Sequence, residues 1–170
     1  MELSLADTTE ADLDAVVALE SDPDVSPWIS PWPRERHLRA ISDGDLAHLS
    51  FRCADGEAFA GFLLLAGLLN PDRSVELRRI ALRTRGHGLG AQALGLALGH
   101  CFGALGARRV WLDLLPDNDR AATVYSRAGL ADDGILENAH PLPDGSLAPL
   151  RLMSISAEDW RRADGSAPVA

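Results

Sequence analysis

Three stretches of this 170-residue chain carry residue types and spacings suited to chemistry. The first is RTRGHGLGAQ, whose Gly86, Gly88 and Gly90 follow an apolar strand-like segment and open a helical one. Glycines placed there let the main chain turn tightly and bring its N–H groups to an anion without Cβ obstruction. Two nucleotide motifs are excluded. Walker A needs a lysine and the chain has none, and GxGxxG has its third glycine one position later than this GxGxG. The second stretch is NDRAATVYSRAGL, in which Asn118, Ala122, Tyr125 and Gly129 share one helical face. Tyr125 is the only tyrosine. The third is VELRRIAL, where strand alternation puts Glu76 on the same face as Arg78 and Ile80, and where Arg78 or Arg79 can hold it in an ion pair. Asp113, on a neighbouring strand, is a reserve carboxylate. Cys53, Cys101 and the five scattered histidines have no metal-ligand or disulfide spacing, so no metal is expected and the cysteines read as small buried hydrophobes.

The elements that must position these groups follow from the pattern. Residues 3–6 read as a strand. Asp7 with Glu10, or Thr9 with Asp12, offers a capping box for an amphipathic helix through Leu13, Val16, Val17 and Leu19. SDPDVSPWISPWP is a proline-punctuated loop carrying Trp28 and Trp32, and Pro33 is placed as the first residue of a helix reaching Ile41. Segments 47–53 and 58–66 form a hairpin about the turn ADGE, and 75–82 is the next strand. A long helix is expected over 89–105. Its stripe Ala91, Gly95, Gly99 and Gly103 is small at every fourth position, which suggests close packing on the sheet. Strand 109–115 stops at Pro116, helix 118–128 ends at Gly129, and strands 135–139 and 147–155 pair around PLPDG. The order β-α-α-β-β-β-α-β-α-β-β indicates an α/β or α+β fold. Residues 1–162 are expected to form one domain and 163–170 a flexible tail.

Arg85, Gly88 and Gly90 spell RxxGxG after a strand. Asn118, Ala121, Tyr125, Gly129 and Leu130 spell NxxAxxxYxxxGL on a helix further along. Together, from about residue 58 to 153, these resemble the GNAT family of N-acetyltransferases. The resemblance implies a mixed, mostly antiparallel sheet of six to seven strands flanked by about four helices. Its central parallel strands, 75–82 and 109–115, would splay to admit acetyl-CoA. It implies that the N–H groups of Arg85, Gly86, His87, Gly88, Leu89 and Gly90 hold the pyrophosphate. Ile80, Ala81 and Leu82 would present main-chain groups to the pantetheine, and Asn118, Ala121 and Tyr125 would flank the cofactor arm. The segment before Arg85 (Arg83 and Thr84) is shorter than is usual in the family.

Acetyl transfer to an amine needs a base to uncover the nitrogen lone pair and an acid to protonate the departing thiolate. By family position, Tyr125 is the expected acid and Glu76 the expected base; core packing of Tyr125 and a structural ion pair for Glu76 are the alternatives. The acceptor side in this family is usually built from the first two helices, their loop and the last two strands. That places Trp28 and Trp32 near a substrate, or as anchors of the loop. Relatives acting on ribosomal-protein N-termini or polyamines often carry GxxR after the last motif. Here GILE places Glu137 there, so neither substrate is carried over. Dimers are common among such proteins, and a homodimer is admitted on that analogy alone. The alternative from another class is a non-catalytic acyl-CoA-binding module on the same fold.

Composition narrows the classes. The formal net charge is −9, and all sixteen cations are arginine. An acidic chain without lysine argues against binding nucleic acid or an anionic membrane, and against Schiff-base chemistry. The acidic N-terminus is expected to be neither a signal nor a transit peptide, and a cytoplasmic location is expected. Residues 1–45 hold eleven acids against three arginines, whereas 73–85 hold five arginines against Glu76 alone. An anionic cofactor facing the second region and a cationic acceptor facing the first would suit that division.

Overall fold

The computed structural model describes residues 2–53, 58–142 and 144–163. Seven strands form one sheet in the order β1-β2-β3-β4-β5-β7-β6: β1 (Leu3–Asp7), β2 (Leu46–Cys53), β3 (Phe59–Ala66), β4 (Ser74–Leu82), β5 (Arg109–Leu114), β6 (Ala131–Pro141) and β7 (Leu147–Ser156). Every neighbouring pair is antiparallel except β4 with β5. Among the described residues the α-helices are α1 (Leu13–Glu20), α2 (Arg34–Ile41), α3 (Leu89–Gly99), α4 (Asp119–Arg127) and α5 (Ala157–Ala163). The expected turn ADGE and the tail beyond Ala163 lie outside the described residues, as does Pro143 of PLPDG.

Alternation along β3 sorts the core. Leu63 and Leu65 join the large cluster beneath α3, while Phe62 packs with Val16 and Leu19 of α1, and Leu64 with Trp32 and Ala40. Gly61 is required by close approach, because a Cβ there would collide with the Ala81 carbonyl. The capping box that forms is Thr9 with Asp12: the Asp12 carboxylate accepts the Thr9 N–H at 2.8 Å and its hydroxyl at 2.9 Å. Arg52 also clamps Asp12, at 2.7 Å.

Six expectations are corrected. First, β4 carries a bulge: Leu65 faces Leu77, and Leu64 faces Arg79, leaving Arg78 as the extra residue. The face therefore switches there, and Glu76 lies on the side of Arg79 and Ala81 rather than with Ile80, which packs toward α3. Second, the helix expected over 89–105 is α-helical only to Gly99; a π-helical turn, His100–Ala104, follows and keeps both Cys101 and Phe102 buried. Third, the small stripe does not pack on the sheet. Cβ atoms at Gly95, Gly99 or Gly103 would meet nothing within 4 Å, and the sheet-facing side is made by Ala93, Leu94, Ala97 and Leu98. Fourth, β6 is longer at both ends than the expected 135–139. Fifth, α5 is an element that the pattern above does not include, although its signal is local: the Ser156 hydroxyl donates to Asp159 at 2.7 Å and accepts the Asp159 N–H at 3.1 Å. Trp160 of α5 stacks on Phe102, with ring centroids 5.1 Å apart. Sixth, Pro33 stands one place earlier than expected, as the N-cap of α2.

Candidate active site

The parallel pairing of β4 and β5 covers only Ser74↔Arg109, Val75↔Val110 and Glu76↔Trp111. Beyond it the strands part, so the β5-facing edge of 77–82 has no ladder partner among the described residues, and a cavity of about 440 Å³ opens between them. Its β4 wall runs from Glu76 to Leu82, and its β5 wall is Asp113, Leu114 and Leu115. The α1–α2 loop contributes Asp24, Val25, Trp28, Ile29 and Ser30, while α4 and its cap contribute Asn118, Ala121, Val124 and Tyr125. His140 of β6 and Leu150 of β7 close the far end.

The glycine loop forms one end of this cavity through Thr84, Arg85, Gly86 and Gly90. Three successive residues, Gly86, His87 and Gly88, have left-handed φ of 86°, 50° and 75°. His87 holds a conformation that costs a side-chain-bearing residue energy. The turn is closed by the Leu89 N–H donating to the Gly86 carbonyl at 3.1 Å, and by the Gln92 N–H to the Gly88 carbonyl at 3.0 Å. The N–H groups of Gly90 and Ala91, in the first turn of α3, are bonded to no backbone carbonyl among the described residues. Added Cβ atoms at Gly86, Gly88 and Gly90 would point into open space. Unpaired N–H groups at a helix start beside a bare strand edge suit a diphosphate followed by an amide-containing arm, so the residues present fit acetyl-CoA.

Of the residues singled out from sequence, Ile80, Ala81, Leu82, Arg85, Gly86, Gly90, Asn118, Ala121 and Tyr125 line the cavity, as do Glu76 and Trp28. His87 and Gly88 shape the loop without lining it, and Leu89 is a core side chain. Of the two alternatives for Trp32, the geometry fits the anchor: it is buried, sandwiched between the guanidiniums of Arg36 at 3.6 Å and Arg79 at 4.0 Å from its ring centroid. It anchors the loop, while half-exposed Trp28 faces the cavity. Asn118 is partly committed, since its Oδ1 accepts the Ala121 N–H at 3.2 Å as the cap of α4.

The charged groups are arranged differently from the segregation suggested along the chain. Three carboxylates (Asp24, Glu76, Asp113) and four arginines (Arg78, Arg79, Arg85, Arg120) line the cavity. Of the acids in residues 1–45, only Asp24 lines it, and Asp24 is paired with Arg85 at 2.7 Å. Glu10 and Asp14 pair with Arg34, and Asp12 with Arg52. Part of the acidic excess is thus neutralised in internal pairs. Arg78 holds Glu76 through Nε at 3.1 and 3.2 Å and through Nη2 at 2.6 Å. Burial, with the Asp113 charge second, pushes the Tyr125 hydroxyl up to about 12. Desolvation and then the Glu76 carboxylate raise Asp113, against His140 and Arg78. Burial alone also pushes Cys101 up to about 12, which removes it as a thiolate nucleophile.

Behind the cavity wall runs a buried polar chain that local patterning does not reveal. The Glu20 carboxylate accepts from Arg79 Nη1 at 2.6 Å and from the Trp32 N–H at 2.7 Å, and it meets His37 Nε2 at 3.2 Å. His37 Nδ1 lies 3.0 Å from His48 Nε2, His48 Nδ1 lies 3.0 Å from Thr8 Oγ1, and Thr8 lies 2.8 Å from Ser50 Oγ. A single donor direction, from Ser50 through Thr8, His48 and His37 to Glu20, satisfies every ring nitrogen with both rings neutral. Burial, followed by the neighbouring His37, lowers His48 to about 4 from its ordinary 6.5. In the unfolded chain His48 takes its proton near 6.5, so between these values the unfolded state binds more protons. Its contribution is complete above 6.5 and falls as the pH drops, by as much as about 3 kcal/mol. Urea midpoints measured from about pH 7 down to about pH 4.5 should fall more steeply for the wild type than for His48→Gln. Parallel slopes would show that His48 is not buried as a neutral ring.

A family model described as an acetyltransferase (GNAT) domain matches residues 2–131. A search of curated proteins gives no match. Among solved structures, the spermidine N-acetyltransferase SpeG from Vibrio cholerae in complex with CoA and spermine is similar with a TM-score of 0.82. It is 19% identical, and the match covers 94% of this chain and 98% of that one. A chimera of that SpeG with hSSAT gives the same values. Mutant forms of the Vibrio cholerae spermidine/spermine N-acetyltransferase SpeG give a TM-score of 0.81 at 18% identity, covering 96% and 98%. At these identities the solved structures show the shared fold. No helix among the described residues is long and apolar enough to cross a membrane.

Proposed function

This chain belongs to the GNAT acetyltransferase family, and from that premise we propose that it transfers an acetyl group from acetyl-CoA directly to a primary amine of a small molecule or peptide. The observation that carries the reading is the cleft between β4 and β5: one cavity joins the glycine loop, the bare edge of β4, Tyr125 and the carboxylates of Glu76 and Asp113. Acetyl-CoA supplies an acyl group activated as a thioester, whose C–S bond breaks as the amide N–C bond forms. The N–H groups of Gly90 and Ala91 and the Arg85 side chain would hold its phosphates, and the edge of 77–82 would bond its amides.

The Tyr125 hydroxyl is the acid. It has no hydrogen-bond partner among the described residues, and its high pKa keeps the proton in place at neutral pH. A carboxylate on the cleft wall receives the amine's proton; Glu76 and Asp113 are the two placed to do so. Trp28 borders the acceptor side. The SpeG complex contains spermine, but this chain has Glu137 where polyamine acetyltransferases often have arginine. The proposed acceptor class is therefore a primary amine at large, not specifically a polyamine. One domain in residues 1–162 and a cytoplasmic location belong to the same reading.

Binding is tested by melting the protein with CoA. At a concentration of about 100 times Kd, a ligand bound only by the fold adds about 2.7 kcal/mol, which raises Tm by about 5–10 °C in a chain of this size. An unchanged Tm at millimolar CoA would remove the cofactor assignment. A raised Tm without turnover on any amine would favour the non-catalytic acyl-CoA-binding alternative.

A further inference from the structure

Two carboxylates face the acceptor end of the cleft from opposite strands, and they are not equivalent. Glu76, on β4, is gripped by three Arg78 contacts of 2.6 to 3.2 Å. Those bonds engage both Glu76 carboxylate oxygens, so an acceptor ammonium has to compete with Arg78 for them. Asp113 lies on β5 two residues beyond Trp111, the last residue paired with β4, where the strands have parted. Val110, Leu112 and Leu114 of β5 point into the core beneath α3, so alternation turns Asp113 to the opposite face. It is exposed and lines the cavity, and its carboxylate makes no hydrogen bond or ion pair with the described residues.

Resting on the acetyl-transfer reading above, we propose that Asp113 is the catalytic residue that takes the acceptor's proton, while Glu76 is a fixed wall beside it. The Glu76–Arg78 pair contributes little net charge to the cleft, so Asp113 is the carboxylate left to attract an ammonium group. One proton of the ammonium passes to an Asp113 carboxylate oxygen, exposing the nitrogen lone pair. That proton later leaves to solvent through the open cleft. The second proton leaves the nitrogen as the N–C bond forms and the C–S bond breaks, and it returns to the Tyr125 oxygen. It is matched by the proton that Tyr125 gives to the departing sulfur, so Tyr125 ends protonated as it began. The groups facing Asp113 set its working range: Glu76 and Arg78 from β4, Tyr125 from α4 and His140 from β6. The raised proton affinity of Asp113 suits a base that must accept and then release a proton.

The test uses the full chain with acetyl-CoA and three amines (spermidine, glucosamine and an alanyl tripeptide), following CoA thiol release. Asp113→Asn is expected to lower kcat by about 10²–10⁴-fold and to flatten the acidic limb of the pH profile, with the KM for acetyl-CoA held. Asp113→Glu should recover part of the rate. Glu76→Gln should retain the acidic limb. In the wild type, saturating with the best amine should shift the carboxyl carbon resonance of Asp113 further than that of Glu76, a readout that needs no variant to fold. An active wild type whose Asp113→Asn variant keeps kcat and the acidic limb overturns the assignment to Asp113 alone. So does an amine titration that shifts the Glu76 resonance further. A wild type that binds CoA and acetylates none of the three amines overturns the acetyl-transfer reading, and the role of Asp113 with it.

Discussion

Replacing Tyr125 by Phe is expected to lower kcat by about 10²–10⁴-fold, the usual worth of a general acid, while leaving the affinity for CoA and the melting temperature nearly unchanged. Only a hydroxyl is removed, and that hydroxyl bonds to no described residue, so the fold loses no partner. The ring, half-buried against the core beneath α3, keeps its contacts. With the hydroxyl pushed up to about 12 by burial and then by Asp113, the acid form persists across the working range. The wild-type rate should therefore not fall on the alkaline side through ionisation of Tyr125 until the pH approaches that value. Steady-state kinetics with acetyl-CoA and the best amine check both statements. A Tyr125→Phe enzyme with wild-type kcat would show that the phenol only packs.

The second large effect is on stability. Glu20→Ala should destabilise the protein by about 3–5 kcal/mol, because it leaves the buried Arg79 guanidinium without its counter-charge. Glu20 is fully buried and bonded to Arg79, the Trp32 N–H and His37. Burial works to raise its pKa, but His37, the Trp32 N–H and Arg79 outweigh it and hold the carboxyl below 4.5. Its stabilising contribution is thus present above 4.5 and lost as the pH falls through the folded value. Total stabilities of single domains are about 5–15 kcal/mol, so the alanine variant should sit near the threshold of folding. Glu20→Gln, which keeps an acceptor for Arg79 and the Trp32 N–H, should lose less. Urea unfolding of the two variants is the measurement. A Glu20→Ala midpoint within error of wild type would mean that the chain from Arg79 to Ser50 contributes nothing.

What is legible in the sequence is local. The glycine loop, the Asn118–Tyr125 helix and the Thr9–Asp12 box each lie within a few residues, where spacing alone fixes which groups share a turn. The splay of β4 from β5 follows from the family resemblance, and the pairing does end at Glu76 and Trp111. The polar chain joining Glu20, His37, His48 and Thr8 is not legible. Its links span 17, 11 and 40 residues and form only when α1, α2, β1 and β2 pack together. The bulge at Arg78 is hidden for a related reason: register against β3 decides it, and VELRRIAL alternates acceptably without it. The small stripe on α3 misleads because low bulk is as compatible with an exposed face as with a close contact. The charge excess of the first 45 residues misleads in the same way. A count along the chain carries no direction, and of those acids Asp24 alone lines the cleft, while Glu10, Asp12 and Asp14 pair with arginines elsewhere.

The most direct measurement is mass spectrometry of spermidine, glucosamine and an alanyl tripeptide after incubation with the protein and acetyl-CoA. At least one amine should gain a single acetyl group, in step with free CoA thiol and only when the protein is present. If CoA raises the melting temperature and all three amines remain unmodified, the cleft binds the cofactor without catalysing transfer to these acceptors, and the central claim is contradicted.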